Sequence, residues 1–347
     1  MRRIAAALAA ASLLAACSDG GTDGNQPAVV TAEPGAADLP GAPVDPARPG
    51  QPATAVPSAV TAWRARAAAP TSRQEVAGAV VDGRIWVVGG LTAGDASTKV
   101  EAYDPAADRW TAGPDLPLAL HHLAVVAYRD EVVVVGGFGR GAADLYDGPT
   151  DRVLALRNGA WVDLPRLRRP RGAAAAAVVG DRIVLVGGRD DDGLIGPTEV
   201  FDGTSWTDAA AIPTPRDHLA AASDGQAVYA VGGRALDPNR MFPALERFDP
   251  IRNTWETLPA MPTARGGLGA SVLDNQLVVT GGESSSEVFP QVEIYDLAAR
   301  TWRAVRPMPT PRHGHAQATV AGTVYTLVGG RQAGVAPTAF VEALGPG

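Results

Sequence analysis

Five arginines stand at matching places in a recurring Pro-x-x-Arg element: Pro70 to Arg73, Pro213 to Arg216, Pro262 to Arg265 and Pro309 to Arg312, with Arg171 directly after Pro170 in a shorter copy. A guanidinium is a planar fork of donors that grips a carboxylate or sulfate at two points. A ring of five would read an acidic peptide or glycan. The competing reading is that each arginine bonds backbone carbonyls nearby and recurs only because the fold recurs. One copy breaks the rule, with Leu120-His121-His122 where arginine is expected, followed by an expanded loop from Phe138 to about Arg152 carrying Asp144, Tyr146 and Asp147. Specificity is to be sought where one unit departs from a rule the others keep. The candidate ligand-binding residues are therefore Arg73, Arg171, Arg216, Arg265, Arg312, His121 and His122.

Other chemistry has weaker support. His121, His122, His218 and His313, with Asp217 and Glu75 in equivalent loops, make a metal site conceivable, but no close ligand spacing marks one, and neither metal nor cofactor is expected. His315, three after Arg312, reads as structural. The run Arg189-Asp190-Asp191-Asp192-Gly193 lacks the spacing of a calcium loop and reads as a solvated tip. The single cysteine, Cys17, excludes an internal disulfide and any Cys-rich zinc or iron-sulfur centre.

The elements that must position these residues repeat. Gly-Gly pairs close short apolar runs at Gly89, Gly136, Gly187, Gly232, Gly281 and Gly329, in steps of 47, 51, 45, 49 and 48 residues. Before most of those runs stands a pair suited to a tight hairpin: Asp82-Gly83, Asp224-Gly225, Asp274-Asn275, Ala321-Gly322. Past the glycines comes an acid two before an aromatic (Glu101 and Tyr103, Glu199 and Phe201, Glu246 and Phe248, Glu293 and Tyr295), then a tryptophan at 110, 206, 255 or 302. Trp161 serves the second unit. Each unit thus holds four short strands. The 40 glycines and 29 prolines fit many strands closed by turns better than helices.

Gly-Gly, an acid two before an aromatic, and then tryptophan, at a period near 48, resembles the kelch repeat over residues 61–345. That resemblance implies an all-β, six-bladed propeller of four-stranded antiparallel blades around a channel. Leu154 and Leu156 depart from the pattern in the second unit, and Leu344 stands where the last unit should carry an aromatic. Trp63 precedes the first unit and the last Gly-Gly pair has no tryptophan after it, so Trp63 should supply the last blade's fourth strand and close the ring. The strand glutamates read as acceptors that hold the fold. Kelch domains that bind acidic peptides use arginines at such loop positions. Copper radical oxidases of this family need a cysteine cross-linked to tyrosine, which Cys17 cannot supply, and sialidase-type Asp boxes are absent. The cofactor-free sialic-acid epimerases of the family remain a possible parallel.

Residues 1–16 show a basic start (Arg2, Arg3), an apolar stretch from Ile4 to Leu14 and small residues before Cys17, the layout of an export signal. Leu14-Ala15-Ala16-Cys17 resembles the bacterial lipobox, which implies lipidation of Cys17 and a membrane anchor. Residues 17–60, rich in proline and without aromatics, read as a disordered tether. Cleavage would leave 28 basic and 37 acidic residues, a net charge of −9 that argues against nucleic acid as a partner. The expected protein is an exported, lipid-anchored, monomeric binding or scaffolding propeller for a protein, acidic peptide or carbohydrate. A cofactor-free sugar-modifying enzyme is the alternative.

Overall fold

The computed structural model describes residues 62–139, 146–237 and 239–345. Cys17, the signal and tether segments and Asp144 lie outside them. Within them, 24 strands form six four-stranded antiparallel sheets arranged as propeller blades. Blade 1 runs from Ala77 to Ala112, blade 2 from Ala124 to Leu164, blade 3 from Ala175 to Ala211, blade 4 from Ala220 to Leu258 and blade 5 from Gly269 to Ala304. Blade 6 takes three strands between Ala316 and Gly345 and its fourth from Ala62–Arg66.

Six first strands converge on one axis, so their inward positions must be small. Gly78, Ala124, Ala176, Ala221, Ala270 and Ala316 line a channel cavity of about 150 Å³, with His315 and Gln317 as polar exceptions. The second strands are largely buried on both sides and accordingly are rich in Val, Ile and Leu. At the hairpin pairs Asp82-Gly83, Asp274-Asn275 and Ala321-Gly322 both residues have positive φ, the geometry that matches strand twist. Asp224-Gly225 differs from its expected role: Ser223 pairs with Val228, so the connection is a four-residue loop capped by the Asp224 carboxylate, which accepts from the Gln226 and Ala227 amides.

The repeated residues join blade to blade. The second glycine of each pair donates to the carbonyl of the next blade's loop, as Gly90 does to Leu120 at 2.8 Å and Gly137 to Arg171 at 2.8 Å. A Cβ on Gly89 would lie 2.5 Å from the Leu120 oxygen, so only glycine permits that approach. In blade 6 the pattern slides by one residue. Val328 (φ 55°) and Gly329 (φ 102°) occupy the two positions, Gly329 donates to Arg73 O at 2.7 Å, and Gly330 lies beyond the pair. Each fourth-strand tryptophan donates its indole N–H to a carbonyl at or just past the end of the preceding blade's last strand: Trp110 to Ala67, Trp161 to Pro114, Trp206 to Pro165, Trp255 to Ala210 and Trp302 to Pro259. Trp63 completes the set on Arg306 O at 3.2 Å, and Ala62–Arg66 pairs residue for residue with Val341–Gly345. The ring is closed as the unpartnered Trp63 requires.

Candidate functional site at the channel mouth

The arginines do not form an open ring. Arg73, Arg171, Arg216, Arg265 and Arg312 are at most 1% exposed. Each turns into its own blade and pairs with the third-strand glutamate: Arg73 with Glu101 at 2.7 Å, Arg312 with Glu342 at 2.7 Å, and likewise Arg171 with Glu199, Arg216 with Glu246 and Arg265 with Glu293. Other N–H groups of these side chains donate to backbone carbonyls, as Arg73 Nη1 does to Gly89 and Lys99. The same glutamate accepts from the threonine two before the arginine, at 2.7 to 2.9 Å for Thr71, Thr214, Thr263 and Thr310. Burial lowers every one of these guanidinium pKa values, that of Arg312 to about 10. A guanidinium buried within its blade and paired with that blade's own carboxylate presents no open fork to a ligand, which corrects the expectation that these five contact one.

Blade 2 replaces the whole motif together. Leu118, Leu120 and Leu154 occupy the threonine, arginine and glutamate positions and pack into one apolar cluster. Replacing a buried ion pair by apolar groups of similar size often leaves stability unchanged or improved. Leu120 and Leu154 are thus a structural exchange, and the functional departure of this blade lies in the two residues that follow.

Those positions meet at the axis. The second residue after each arginine, or after Leu120, has positive φ: Glu75 52°, His122 49°, Ala173 52°, His218 53°, Gly267 63° and Gly314 54°. Amides and carbonyls of this level link blade to blade. His122 donates to Glu75, Ala173 to His122, His218 to Ala173, Gly267 to His218 and Gly314 to Gly267, at 2.8 to 3.0 Å, and Val76 donates to Gly314 at 3.2 Å. The result is a closed belt of six hydrogen bonds across the channel. Left-handed backbone costs a non-glycine residue about 1–2 kcal/mol, and here three such positions carry Glu75, His122 and His218. Strain retained at chemically active side chains is a mark of function.

Above the belt the three side chains join others from the loops. His122 Nε2 lies 3.2 Å from Glu75 Oε2, and His122 and His121 face each other through their Nδ1 atoms at 2.5 Å. His313 Nδ1 lies 3.0 Å from Glu75 Oε1 and 3.4 Å from Glu283 Oε2, with its Nε2 3.0 Å from the Gln332 carbonyl. On the other side, His218 places Nδ1 2.7 Å from Asp217 Oδ1 and accepts from Arg234 Nη2 at 2.8 Å. Arg234 also donates to the Tyr146 hydroxyl at 2.6 Å. Phe138 and Tyr146 pack edge-on to His122, and Arg189 stacks on Tyr146 at 4.8 Å.

Burial and mutual charge decide the protonation of this cluster. Burial works against the charge of Glu75, but His122 and His313 hold it well below the usual carboxylate range. Burial drives His122 well below an ordinary histidine, and its neighbours His218, His121 and Arg234 reinforce that against the pull of Glu75. For His313 the two carboxylates overcome burial and raise it. His313 is therefore the neighbour whose charged form the carboxylates favour, whereas burial disfavours charge on His122. Glu75, His122 and His218 each offer a ligand atom within 4.8 Å of the others, and Glu75 with Glu283 and His313 forms a second such set.

A match to the KLHDC2/KLHL20/DRC7 Kelch-repeats domain covers residues 175–340, and a match to the Kelch motif covers residues 72–117. These matches identify kelch repeats within residues 72–117 and 175–340. Among similar proteins, Kelch-like protein terF of Aspergillus terreus (strain NIH 2624 / FGSC A1156) is 29% identical over 238 residues, 63% of this chain and 52% of terF. Kelch repeat protein M-T8 of Myxoma virus (strain Lausanne) is 34% identical over 120 residues, 34% of this chain and 23% of that protein. Beta-scruin of Limulus polyphemus is 31% identical over 133 residues, 37% of this chain and 14% of beta-scruin. The chain thus spans about half of terF and less of the other two. Among solved structures, YjhT superposes with a TM-score of 0.67 at 16% identity, over 79% of this chain and 95% of that one, which shows a shared fold.

In this propeller the structure brings His121 and His122 to the mouth and withdraws all five arginines from it. Arg234 and Glu283, which complete the cluster, were not singled out in the sequence. Both directly follow a Gly-Gly pair, where the units carry Leu91, Phe138, Arg189, Arg234 and Glu283 in turn. That variation at one repeat position was the available signal. Arg189, read as part of a solvated tip, stacks instead on Tyr146 in the mouth.

His315 sits below the belt, buried, with Nε2 2.9 Å from Thr280 Oγ1 of blade 5. Burial, then Arg312, His313 and Arg265, outweigh Glu75 and depress its pKa to about 3. A histidine lowered on folding supports stability that is fully present above its unfolded value near 6.5 and is lost as pH falls toward 3. Its contribution to the slope is about 1.4 kcal/mol per pH unit in that window. Urea denaturation at pH 7, 5.5 and 4.5 should show this slope in the wild type and its loss in His315→Gln. Equal slopes would mean that His315 is protonated in the folded protein.

Proposed function

We propose that this chain is an extracytoplasmic binding propeller, held at a bacterial membrane through Cys17, which takes a small acidic ligand at the mouth formed by blades 2, 3 and 4. The kelch fold supports a binding or scaffold role, and the observation that carries the ligand class is Arg189. Its guanidinium is half-buried on the face of Tyr146, it has no ion pair among the described residues, and its Nε is buried without a hydrogen-bond partner. A carboxylate would supply that partner, and the partly exposed ring of Tyr146, backed by the buried Phe138, offers aromatic surface to the rest of the ligand. Uronic and sialic acids and acidic peptides fit this description.

Calorimetric titration against those acids and against neutral sugars tests the reading. Arg189→Ala should weaken acid binding about 10–100-fold, the size of one charge-assisted contact, and leave the melting temperature within a degree or so. Binding confined to neutral sugars, or unaffected by Arg189→Ala, would refute it. A cofactor-free sugar-modifying enzyme is the alternative, with Glu75, set between His122 and His313, as the carboxylate it would use. Anomer interconversion followed by NMR would favour that alternative over binding alone.

A further inference from the structure

We propose that the belt of the channel mouth is a binding site for one divalent transition-metal ion, ligated by Glu75, His122 and His218. The argument rests on those three side chains and not on Arg189 or the acidic ligand. They come from blades 1, 2 and 4, more than 40 residues apart in the chain, and they occupy the same left-handed position of the repeat. Each is anchored by the inter-blade hydrogen bonds of the belt, so the backbone presents them at fixed points. Their ligand atoms lie within 4.8 Å of one another, close enough for side-chain adjustment to reach bonds of about 2.1 Å. Two imidazoles and one carboxylate suit Zn²⁺, Fe²⁺ or Co²⁺ and leave coordination positions open toward Tyr146.

The outer contacts match this role. Asp217 accepts from His218 Nδ1–H at 2.7 Å, which leaves Nε2 as the bare nitrogen; a carboxylate behind a histidine is the usual orienting partner of a metal ligand. A cation already stands at that nitrogen, since Arg234 Nη2 is 2.8 Å from His218 Nε2. Arg234 has alternative partners in the Tyr146 hydroxyl at 2.6 Å and Glu283 at 3.6 Å, so it can turn aside without becoming an unpaired buried charge. Metal and Arg234 therefore compete for one place. The second donor set, Glu75 with Glu283 and His313, is less available because His313 spans both carboxylates and the Gln332 carbonyl.

The test uses the tag-free full chain, stripped with a chelator and titrated with Co²⁺ by visible absorption and with Zn²⁺ by calorimetry. One equivalent of Co²⁺ should produce the absorption of a low-coordinate site, with micromolar or tighter binding. His218→Ala should weaken uptake at least 100-fold, Asp217→Asn about 10–100-fold, and Arg234→Met should strengthen it about tenfold by removing the competitor. Circular dichroism and melting of each variant separate loss of ligation from loss of folding, and Arg234→Met keeps the test decisive if the histidine variants are unstable. A wild-type chain that binds neither ion more tightly than millimolar, or whose affinity survives His218→Ala, would overturn the proposal. So would uptake abolished by His313→Ala but not by His218→Ala, which would place the ion in the second set.

Discussion

Arg265→Ala should destabilise the propeller by about 3–5 kcal/mol, the range found when one partner of a buried ion pair is removed. Arg265 is fully buried. Its Nη1 lies 2.5 Å from Glu293 Oε2 and 2.9 Å from the Thr263 carbonyl, and its Nε is 2.6 Å from Gly281 O. Alanine would leave the Glu293 carboxylate and the carbonyls of Gly281 and Thr263 with one hydroxyl, that of Thr263, for compensation. Blade 2 supplies the control. Its Leu118, Leu120 and Leu154 fill the same three positions without charge, so the triple variant Thr263→Leu, Arg265→Leu, Glu293→Leu should recover most of the loss. Urea denaturation of wild type, single and triple variants measures both effects. A single variant within about 1 kcal/mol of wild type that nonetheless loses an acidic ligand would restore the arginine ring as a binding surface.

Removal of Ala62–Arg66 should open the ring. That strand forms a five-residue antiparallel pair with Val341–Gly345, and Trp63 packs on the cluster containing Leu344, Val324 and Met308. About five backbone hydrogen bonds at about 1 kcal/mol each and about 2 kcal/mol of indole burial would be lost. That is comparable to the whole stability of many domains, about 5–15 kcal/mol. The strand Val341–Gly345 would become an open edge, and self-association is the expected consequence. Light scattering and thermal melting of the truncated chain measure this, and a peptide spanning residues 60–68 added in trans should restore the melt. A truncated chain that stays monomeric and melts like wild type would show that blade 6 is complete without Trp63.

Trp63 was legible because its evidence was a mismatch in a count: six glycine pairs, and one tryptophan standing ahead of the first. The slide in blade 6 was not. Val328 and Gly329 take the places read as Gly329 and Gly330, since nothing in composition announces that a buried valine will adopt φ 55°. The hairpin at Asp224 failed for a similar reason, because the aspartate caps amides through its side chain instead of turning the backbone.

The arginines show where pattern stops. Arg73 and Glu101 are 28 residues apart and meet only once three strands have stacked, so the spacing alone could not choose between an exposed fork and an internal pair. The joint replacement at Leu120 and Leu154 was the visible sign of that pairing, although in the sequence it looked like two unrelated departures.

Blade number and strand order were determined by the sequence itself, because each rests on short-range signals repeated at a near-constant period, and ring closure followed because Trp63 stands outside that count. The destination of polar side chains was decided only by the tertiary structure. Arg73 and its counterparts are drawn inward by a carboxylate on the same blade, whereas Glu75, His122 and His218 are delivered to one point by closure of the ring. That convergence has no local signature, since it depends on the axis around which six separate loops are arranged.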